Sequence, residues 1–347
     1  MLRLSELTNY VCTAETTIRQ LLGLINTNPY LFQVVVDEAG RPLGTVTDGD
    51  IRRALLRGVS VDAAATICMR DQPLTGHLGQ DAENLSKLQN VKRHVKFLPV
   101  VDAAGLLRHI LVSHSDELGI STALVMAGGP GTRLGKLTEK TPKPLLPVAN
   151  KPILEWVLEG LEQNGVSQIY ISTHYLAEQI DDFIAARANK ASIVLLRETR
   201  RMGTAGALTQ LPKPLSRPVL VINGDVISKV DLTAMEHFHE SQGYDGTIGI
   251  APHDIEIPFG VIRQGSDGSF AGIDEKPTIR QYVSAGIYYL SPECIGLVPT
   301  DRPLDMPELL NMAKQIGLRF GLFPIHEYWR DIGRPEQLAA ADQDYQA

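Results

Sequence analysis

Cysteine is scarce: Cys12, Cys68 and Cys294 are the only three in 347 residues. An odd number of thiols at such wide spacing builds neither a disulfide framework nor a metal site, and it fits a reducing, cytoplasmic setting. Long apolar runs are missing too. Nowhere do 18 apolar residues follow one another, and the opening MLRLSELTNY lacks the apolar stretch of a secretory leader. Neither a membrane span nor a signal peptide is therefore expected. Excess positive charge is also absent. The formal charge of −7 argues against a general nucleic-acid binder, yet it leaves room for local positive charge around a nucleotide. What is present is an ordinary globular composition, 44% hydrophobic and 21% charged, in a chain long enough for two or three domains.

The first 120 residues read as a small α/β module containing one internal repeat, with halves at about 1–60 and 61–120. The paired phrases are VVVDEAGRPLGTVTDGD and PVVDAAGLLRHILVSHSD. Each predicts a strand, a tight Asp-to-Gly turn and a second strand, which in the first copy leads into a helix from Asp48 to Arg57. Two copies make a pair of modules, not a solenoid. A short join at 117–121 leaves little slack, so the two parts of the chain should pack together. From Thr122 onward strands and helices alternate. That implies an α/β fold with a Rossmann-like, mostly parallel mixed sheet covered on both faces, turning more β-rich after residue 246.

The organising stretch is TALVMAGGPGTRLGKLTEKTPKPLLPV, residues 122–148. A short apolar run suited to a buried strand leads into Gly128-Gly129-Pro130-Gly131, followed by Arg133, Lys136 and Lys143. Glycines let backbone N–H groups approach phosphate oxygens, and the cations add fixed charge nearby. A Walker loop is excluded, because Pro130 stands where its first glycine should be and Leu137 replaces its Ser or Thr. The dinucleotide fingerprint fails at Leu134. Further on, the buried strand at 219–222 ends in Asn223-Gly224-Asp225, placing a carboxylate at the sheet edge where open α/β folds bind ligands. Each feature also has a plain structural reading. The loop could be a strand-to-helix turn, Asp225 a turn residue bonding its own backbone, and Asp50 a helix cap.

The long phrase GGPGTRLGKLTEKTPKPLLPV resembles the signature of the sugar-1-phosphate nucleotidyltransferases, or nucleotide-sugar pyrophosphorylases. The phrases PFGVI, DEKP, SAGIYYL and Trp329-Arg330-Asp331-Ile332-Gly333 match the same family further along. That resemblance implies a GT-A-like catalytic domain at 121–347 and the reaction of a nucleoside triphosphate with a sugar 1-phosphate to give a nucleotide-sugar and pyrophosphate. It implies that Ala127, Gly128, Gly129, Gly131, Thr132, Gly203 and Thr204 bind the nucleotide. It places the sugar phosphate on Gly260, Glu275, Lys276, Ser284, Ala285 and Gly286. Arg133 and Lys143 would neutralise phosphate charge, and Asp225 and Asp331 would hold Mg²⁺.

The N-terminal phrases are similar to a tandem CBS pair, a module that commonly binds regulatory nucleotides. Its Thr/Ser-x-x-Asp motif falls on Thr47 and Asp50, then on Ser113 and Asp116. With this pair in front, the layout resembles CBS-containing guanylyltransferases acting on sugar 1-phosphates such as glucosamine 1-phosphate for bacterial surface glycans. GTP is thereby the favoured triphosphate, and a homo-oligomer is expected. Uridylyl and thymidylyl transfer to a hexose 1-phosphate stays open as an alternative, as does a catalytically silent nucleotide sensor.

Overall fold

The computed structural model describes residues 2–91, 96–113 and 119–346. The N-terminal part holds two four-stranded sheets, one per half of the repeat. The first joins Val11–Thr13, Phe32–Val36, Pro42–Thr47 and Arg70–Asp71. The second joins Leu2–Leu4, Leu107–Ser113, Lys96–Val101 and Gly76–His77, so the chain's opening strand belongs to the later sheet. The repeat extends to single hydrogen bonds. Asp37 Oδ1 accepts from the N–H groups of Ala39 and Arg41, and Asp102 Oδ1 accepts from those of Ala104 and Leu106. The two sheets meet across stacked rings of Phe32 and Phe97, whose centroids are 4.0 Å apart.

The larger part is built on a seven-stranded sheet. Its order is Ser192–Arg197, Gln168–Thr173, Thr122–Met126, Val219–Asn223, Thr278–Leu290, Gly246–Glu256 and Phe320–Pro324. The first four strands run parallel, and only Thr278–Leu290 opposes its neighbours. Side chains alternate between two cores, as the period of two in a strand requires. Ala123, Val125, Leu220 and Ile222 face the helices Ile153–Gln163 and Leu232–Gln242. Leu124 and Val221 face Leu208, Ile295 and Leu309 on the other side.

Three features depart from the sequence reading. Strands 246–256 and 278–290 run on past the sheet as a two-stranded arm, pairing from Pro252↔Tyr282 to Glu256↔Thr278. The arm side chains are largely exposed, so no apolar alternation announced them. A short antiparallel ribbon, Val226–Ser228 against Trp329–Asp331, was not foreseen, nor was the closing helix Pro335–Gln346.

The two parts are packed against each other. The helix Asp48–Leu56 of the N-terminal module lies on the helix Leu232–Gln242 and the strand Phe320–Pro324. Ile51 and Ala54 share a continuous core with Met235, Phe238 and Phe323. The join itself falls partly on residues 117 and 118, outside the described residues.

Candidate functional site

The strand Thr122–Met126 is buried on both faces and delivers the glycine loop to the carboxyl edge of the sheet. There Gly131 takes φ +64°, a left-handed conformation that glycine adopts freely. A Cβ at Gly131 would lie 2.9 Å from Thr138 Cγ2 and 3.0 Å from Lys143 Cβ. The loop is thus closed onto Lys143, and Thr138 Oγ1 donates to the carbonyls of Gly131 and Gly135. Thr132–Thr138 forms tight 3₁₀ turns broken at Gly135, so a plain strand-to-helix connection is not what the loop makes.

Asp225 follows the neighbouring strand, and the unforeseen ribbon brings Asp331 to it. Val226 pairs with Asp331, and the Ile332 N–H donates to the Asp225 carbonyl at 3.0 Å. Two acids more than a hundred residues apart in sequence therefore stand side by side. The buried Lys143 ammonium donates to Asp225 Oδ2. Asp331 Oδ1 is buried with no hydrogen-bond partner. Burial first, and then the Asp225 charge, raises the Asp331 pKa above the ordinary carboxylate value, against the pull of Lys143 and Arg133. Arg133 reaches over the same turn, since a Cβ on Gly333 would meet its Nη1 at 3.3 Å.

Two adjoining clefts open beside these residues. One, of about 220 Å³, is lined by Ala127, Gly129, Gly131, Thr132, Arg133, Lys143 and Asp225. The other, of about 280 Å³, is lined by Gly128, Gly129, Gly203, Thr204 and Asp225 together with Ser172, Glu198, Arg201, Asn223 and Asp305. Every residue expected at the nucleotide therefore lines one cleft or the other. Gly203 takes φ +80°, and a Cβ there would sit 2.4 Å from the Leu304 carbonyl oxygen. Thr204 is tied to the protein, its N–H donating to Asp305 Oδ1 at 2.9 Å and its hydroxyl accepting from the Met306 N–H at 2.8 Å.

Sequence reasoning missed Ser172 and Glu198. Glu198 stands just past the carboxyl end of the strand Ser192–Arg197, the same placement that singled out Asp225, so the signal was there to be used.

The residues expected at the sugar phosphate divide into two groups. Ser284, Ala285 and Gly286 lie on the strand Thr278–Leu290, which touches the ribbon strand Trp329–Asp331. The Trp329 Nε1–H donates to the Ala285 carbonyl at 2.9 Å, and a Cβ on Gly286 would meet Asn223 Nδ2 at 2.6 Å. Gly260 and Glu275 adjoin one another on the exposed hairpin beside the arm, where a Cβ on Gly260 would lie 3.0 Å from Glu275 Oε2. None of the six residues expected at the sugar phosphate, Lys276 included, lines either of the two clefts.

In the N-terminal module Thr47 and Asp50 form a reciprocal capping box at the start of the helix Asp48–Leu56. Asp50 Oδ1 also accepts from Arg53 at 2.5 Å and from Arg70 at 3.1 Å. Burial opposes ionisation of Asp50, but the Thr47 hydroxyl and both arginines outweigh it and lower its pKa. Both carboxylate oxygens are thus engaged by protein. Thr47 lines a separate cleft that lies between the module and the helix Leu232–Gln242. Ser113 closes its strand opposite Lys96, and Asp116 lies outside the described residues.

Among the described residues no group of three or more His, Cys, Asp or Glu could hold a metal, and no helix is long and apolar enough to cross a membrane. The glycine loop, its cations and the paired acids now have a sequence family to be compared with. The nucleotidyl transferase family model matches residues 122–347. The chain belongs to the nucleotidyl transferase family. Ahead of that domain, the CBS domain model matches residues 5–57. The mannose-1-phosphate guanylyltransferase catalytic subunit beta of Drosophila pseudoobscura pseudoobscura is 35% identical over 226 residues, which are 62% of this chain and 60% of that protein. The bifunctional protein GlmU of Methanococcus maripaludis is 30% identical over 232 residues, 64% of this chain and 54% of that one. The chain thus spans less than two thirds of the length of these relatives. HddC from Yersinia pseudotuberculosis, in its crystal structure complexed with GMP-PN, superposes with a TM-score of 0.52 at 27% identity, covering 65% of this chain and 99% of that one.

Proposed function

We propose that this nucleotidyl transferase family member is a GTP-using sugar-1-phosphate guanylyltransferase. The observation that carries the reading is the convergence of Asp225 and Asp331 beside Lys143 and Arg133 at the mouth of the glycine-loop clefts. In the reaction, an oxygen of the sugar 1-phosphate attacks the α-phosphorus of GTP, a new P–O bond forms, and the bond to pyrophosphate breaks. The attacking oxygen is already ionised near neutral pH, so the site needs no general base. It needs alignment and charge neutralisation.

The chain's own groups suit that task. Arg133 offers a planar fork to the leaving pyrophosphate, while Lys143 supplies a point charge beside Asp225. Gly128 to Gly131 line the phosphate path, and Ala285 and Gly286 touch Trp329 and Asn223, each two residues before one of the acids, where the sugar phosphate would enter. The residues fit Mg²⁺: an all-oxygen pair of carboxylates, one with a buried unpartnered oxygen, matches an ion completed by water and substrate phosphates. Bound there by Asp225 and Asp331, Mg²⁺ would neutralise charge on the reacting phosphates.

The guanine assignment is supported by the mannose-1-phosphate guanylyltransferase relatives and by HddC's complex with GMP-PN. In the N-terminal module, Thr47 at the cleft facing the helix Leu232–Gln242 is the best-placed of the motif residues for a regulatory nucleotide. The test is to follow pyrophosphate release with four nucleoside triphosphates against hexose, hexosamine and heptose 1-phosphates. GTP with one sugar class should lead. Arg133→Ala should lower turnover about 10²–10³-fold, the cost of removing one preorganised donor, with an unchanged melting curve. Near-normal turnover in that variant would refute the assignment.

A further inference from the structure

We propose that the arm and the hairpin it carries form a docking face for a second copy of this chain. Phe259 is 73% exposed and Phe270 70%, while Ile255, Ile262, Ile273 and Ile279 lie between 43% and 59%. All six fall within residues 255–279. At roughly 200 Å² for a whole large apolar side chain, they leave on the order of 700 Å² of apolar surface in water. The largest apolar patch of a typical monomer is about 300–600 Å². A stable interface takes about 800 Å² from each partner. The exposed area is therefore that of one half of a dimer interface.

Register gathers these side chains. In the hairpin, Ile262 stands directly opposite Ile273, and Phe270 stands opposite Gln264. Residues opposite each other across a ladder, or two apart along a strand, share a side. Ile262, Ile273 and Phe270 therefore project from one side of the hairpin. Gly260 abuts them, because a Cβ there would lie 2.7 Å from Ile273 Cδ1, and this sets Phe259 at the edge of the same cluster. In the arm, Ile255 stands opposite Ile279. The reverse side of each ribbon is polar. Arg263 pairs with Asp274 at 3.4 Å in the hairpin, and Arg280 pairs with Asp254 at 2.7 Å in the arm.

Three features make the occupant a second copy. The area is the first. The second is the lone ribbon: among the described residues, Val261–Gln264 and Phe270–Asp274 form a sheet of two strands, open along both edges. Such a ribbon is marginal in water by itself, and cover on its apolar side supplies the missing burial. The third is charge. Acids and bases are interleaved around the patch, Asp254 with Arg280, Arg263 with Asp274, and Glu275 beside Lys276. The patch thus presents no field of one sign for an oppositely charged partner to recognise, and two copies can meet there without facing blocks of like charge. A two-fold dimer uses one patch twice, so the same side chains serve both copies.

The experiment is sedimentation velocity on the full-length protein between about 1 and 100 µM, with amide hydrogen exchange across 261–274 over the same range. A dimer is expected, and its hairpin amides should exchange more slowly as concentration rises. Ile262→Glu and Phe270→Glu should each weaken association by at least about 30-fold, the effect of losing one central anchor, with the circular dichroism spectrum unchanged. Ile316→Glu, at a position 64% exposed but outside residues 255–279, should leave the dimer intact. A chain still monomeric at about 100 µM overturns the proposal. So does a dimer that Ile262→Glu and Phe270→Glu leave intact, or one that Ile316→Glu disrupts equally. Protection of 261–274 that appears in the monomer only on adding triphosphate and sugar 1-phosphate means that the hairpin closes on its own chain, and a different protein held by the patch of a monomeric chain means a foreign partner. Either result overturns the proposal too. Should a glutamate variant fail to fold, the concentration dependence of exchange in the wild type still decides. None of these readings uses turnover, so failure of the transferase reading leaves the proposal standing.

Discussion

Replacing Arg52 should loosen the N-terminal module from the nucleotidyl transferase domain, and the structure sets the size of the effect. Arg52 lies in the helix Asp48–Leu56, and its side chain is 0% exposed. Its Nε donates to Asp48 Oδ2 at 2.7 Å, and Nη2 donates to Glu327 Oε1 at 3.1 Å. Nη1 donates to the Pro324 carbonyl and lies 3.1 Å from His326 Nδ1, while the guanidinium carbon sits 3.7 Å above the centre of the Phe323 ring. Four of these five partners belong to the nucleotidyl transferase domain. Burial pushes the His326 pKa down first and the Arg52 charge pushes it further, so at neutral pH its imidazole is neutral and able to accept.

Arg52→Ala would leave the carboxylates of Asp48 and Glu327 buried and uncompensated. Breaking such a pair from one side costs about 3–5 kcal/mol. At about 2–4 °C per kcal/mol, the midpoint should fall by roughly 10 °C. Arg52→Met combined with Asp48→Asn and Glu327→Gln removes the charges together and should recover most of that loss, because a buried ion pair repays little more than its own desolvation. Thermal and urea unfolding at pH 7 would read both variants. A loss below about 1 kcal/mol for Arg52→Ala, or a triple variant no better than the single one, would refute the reasoning.

Three other outcomes follow from the same coordinates. Asp331→Asn should abolish turnover yet raise the melting temperature. Its folded pKa is raised, so the ionised form destabilises the fold above that pKa, and the amide removes this penalty. Glu162 accepts a two-point bond from Arg187 and also the Lys190 and Ala191 N–H groups, which together with the nearby charge bring its pKa from 4.5 down to about 2. It should contribute on the order of 3 kcal/mol, present above the unfolded value and lost as pH falls through the folded one. Acid unfolding of Glu162→Gln should therefore show a shallower pH dependence, and parallel curves would sink the claim. Gly203→Ala should destabilise by about 1–3 kcal/mol and weaken triphosphate binding, since its φ is +80° and the new methyl would meet the Leu304 carbonyl. Calorimetry and nucleotide titration check both halves.

Local chemistry made much of this protein readable. The strand Val219–Asn223 lies within one residue of the 219–222 expected, because a continuous apolar run bounded by polar residues admits few alternatives. The Asp37 and Asp102 turns were legible because a short acid bonding the backbone ahead of it, followed by glycine, is a property of a few adjacent residues. The cap expected at Asp50 falls instead on Thr47, with Asp50 closing the capping box from the third helical position, and only the coordinates show Arg53 and Arg70 closing on the same carboxylate.

What the chain order could not decide was pairing at long range. The ribbon that sets Asp331 beside Asp225 is three residues long on each side and only partly buried on the Trp329–Asp331 strand, too short to carry a period. The arm carrying Gly260 and Glu275 is exposed, so no alternation foretold it. Arg52 reads in sequence as one more surface cation of a helix, and only docking of the two domains buries it. The residue types and their local turns thus specified the phosphate loop and the strand ends. The meeting of the two acids and the joint at Arg52 came from tertiary contacts, because each depends on segments whose separation along the chain says nothing of their separation in space.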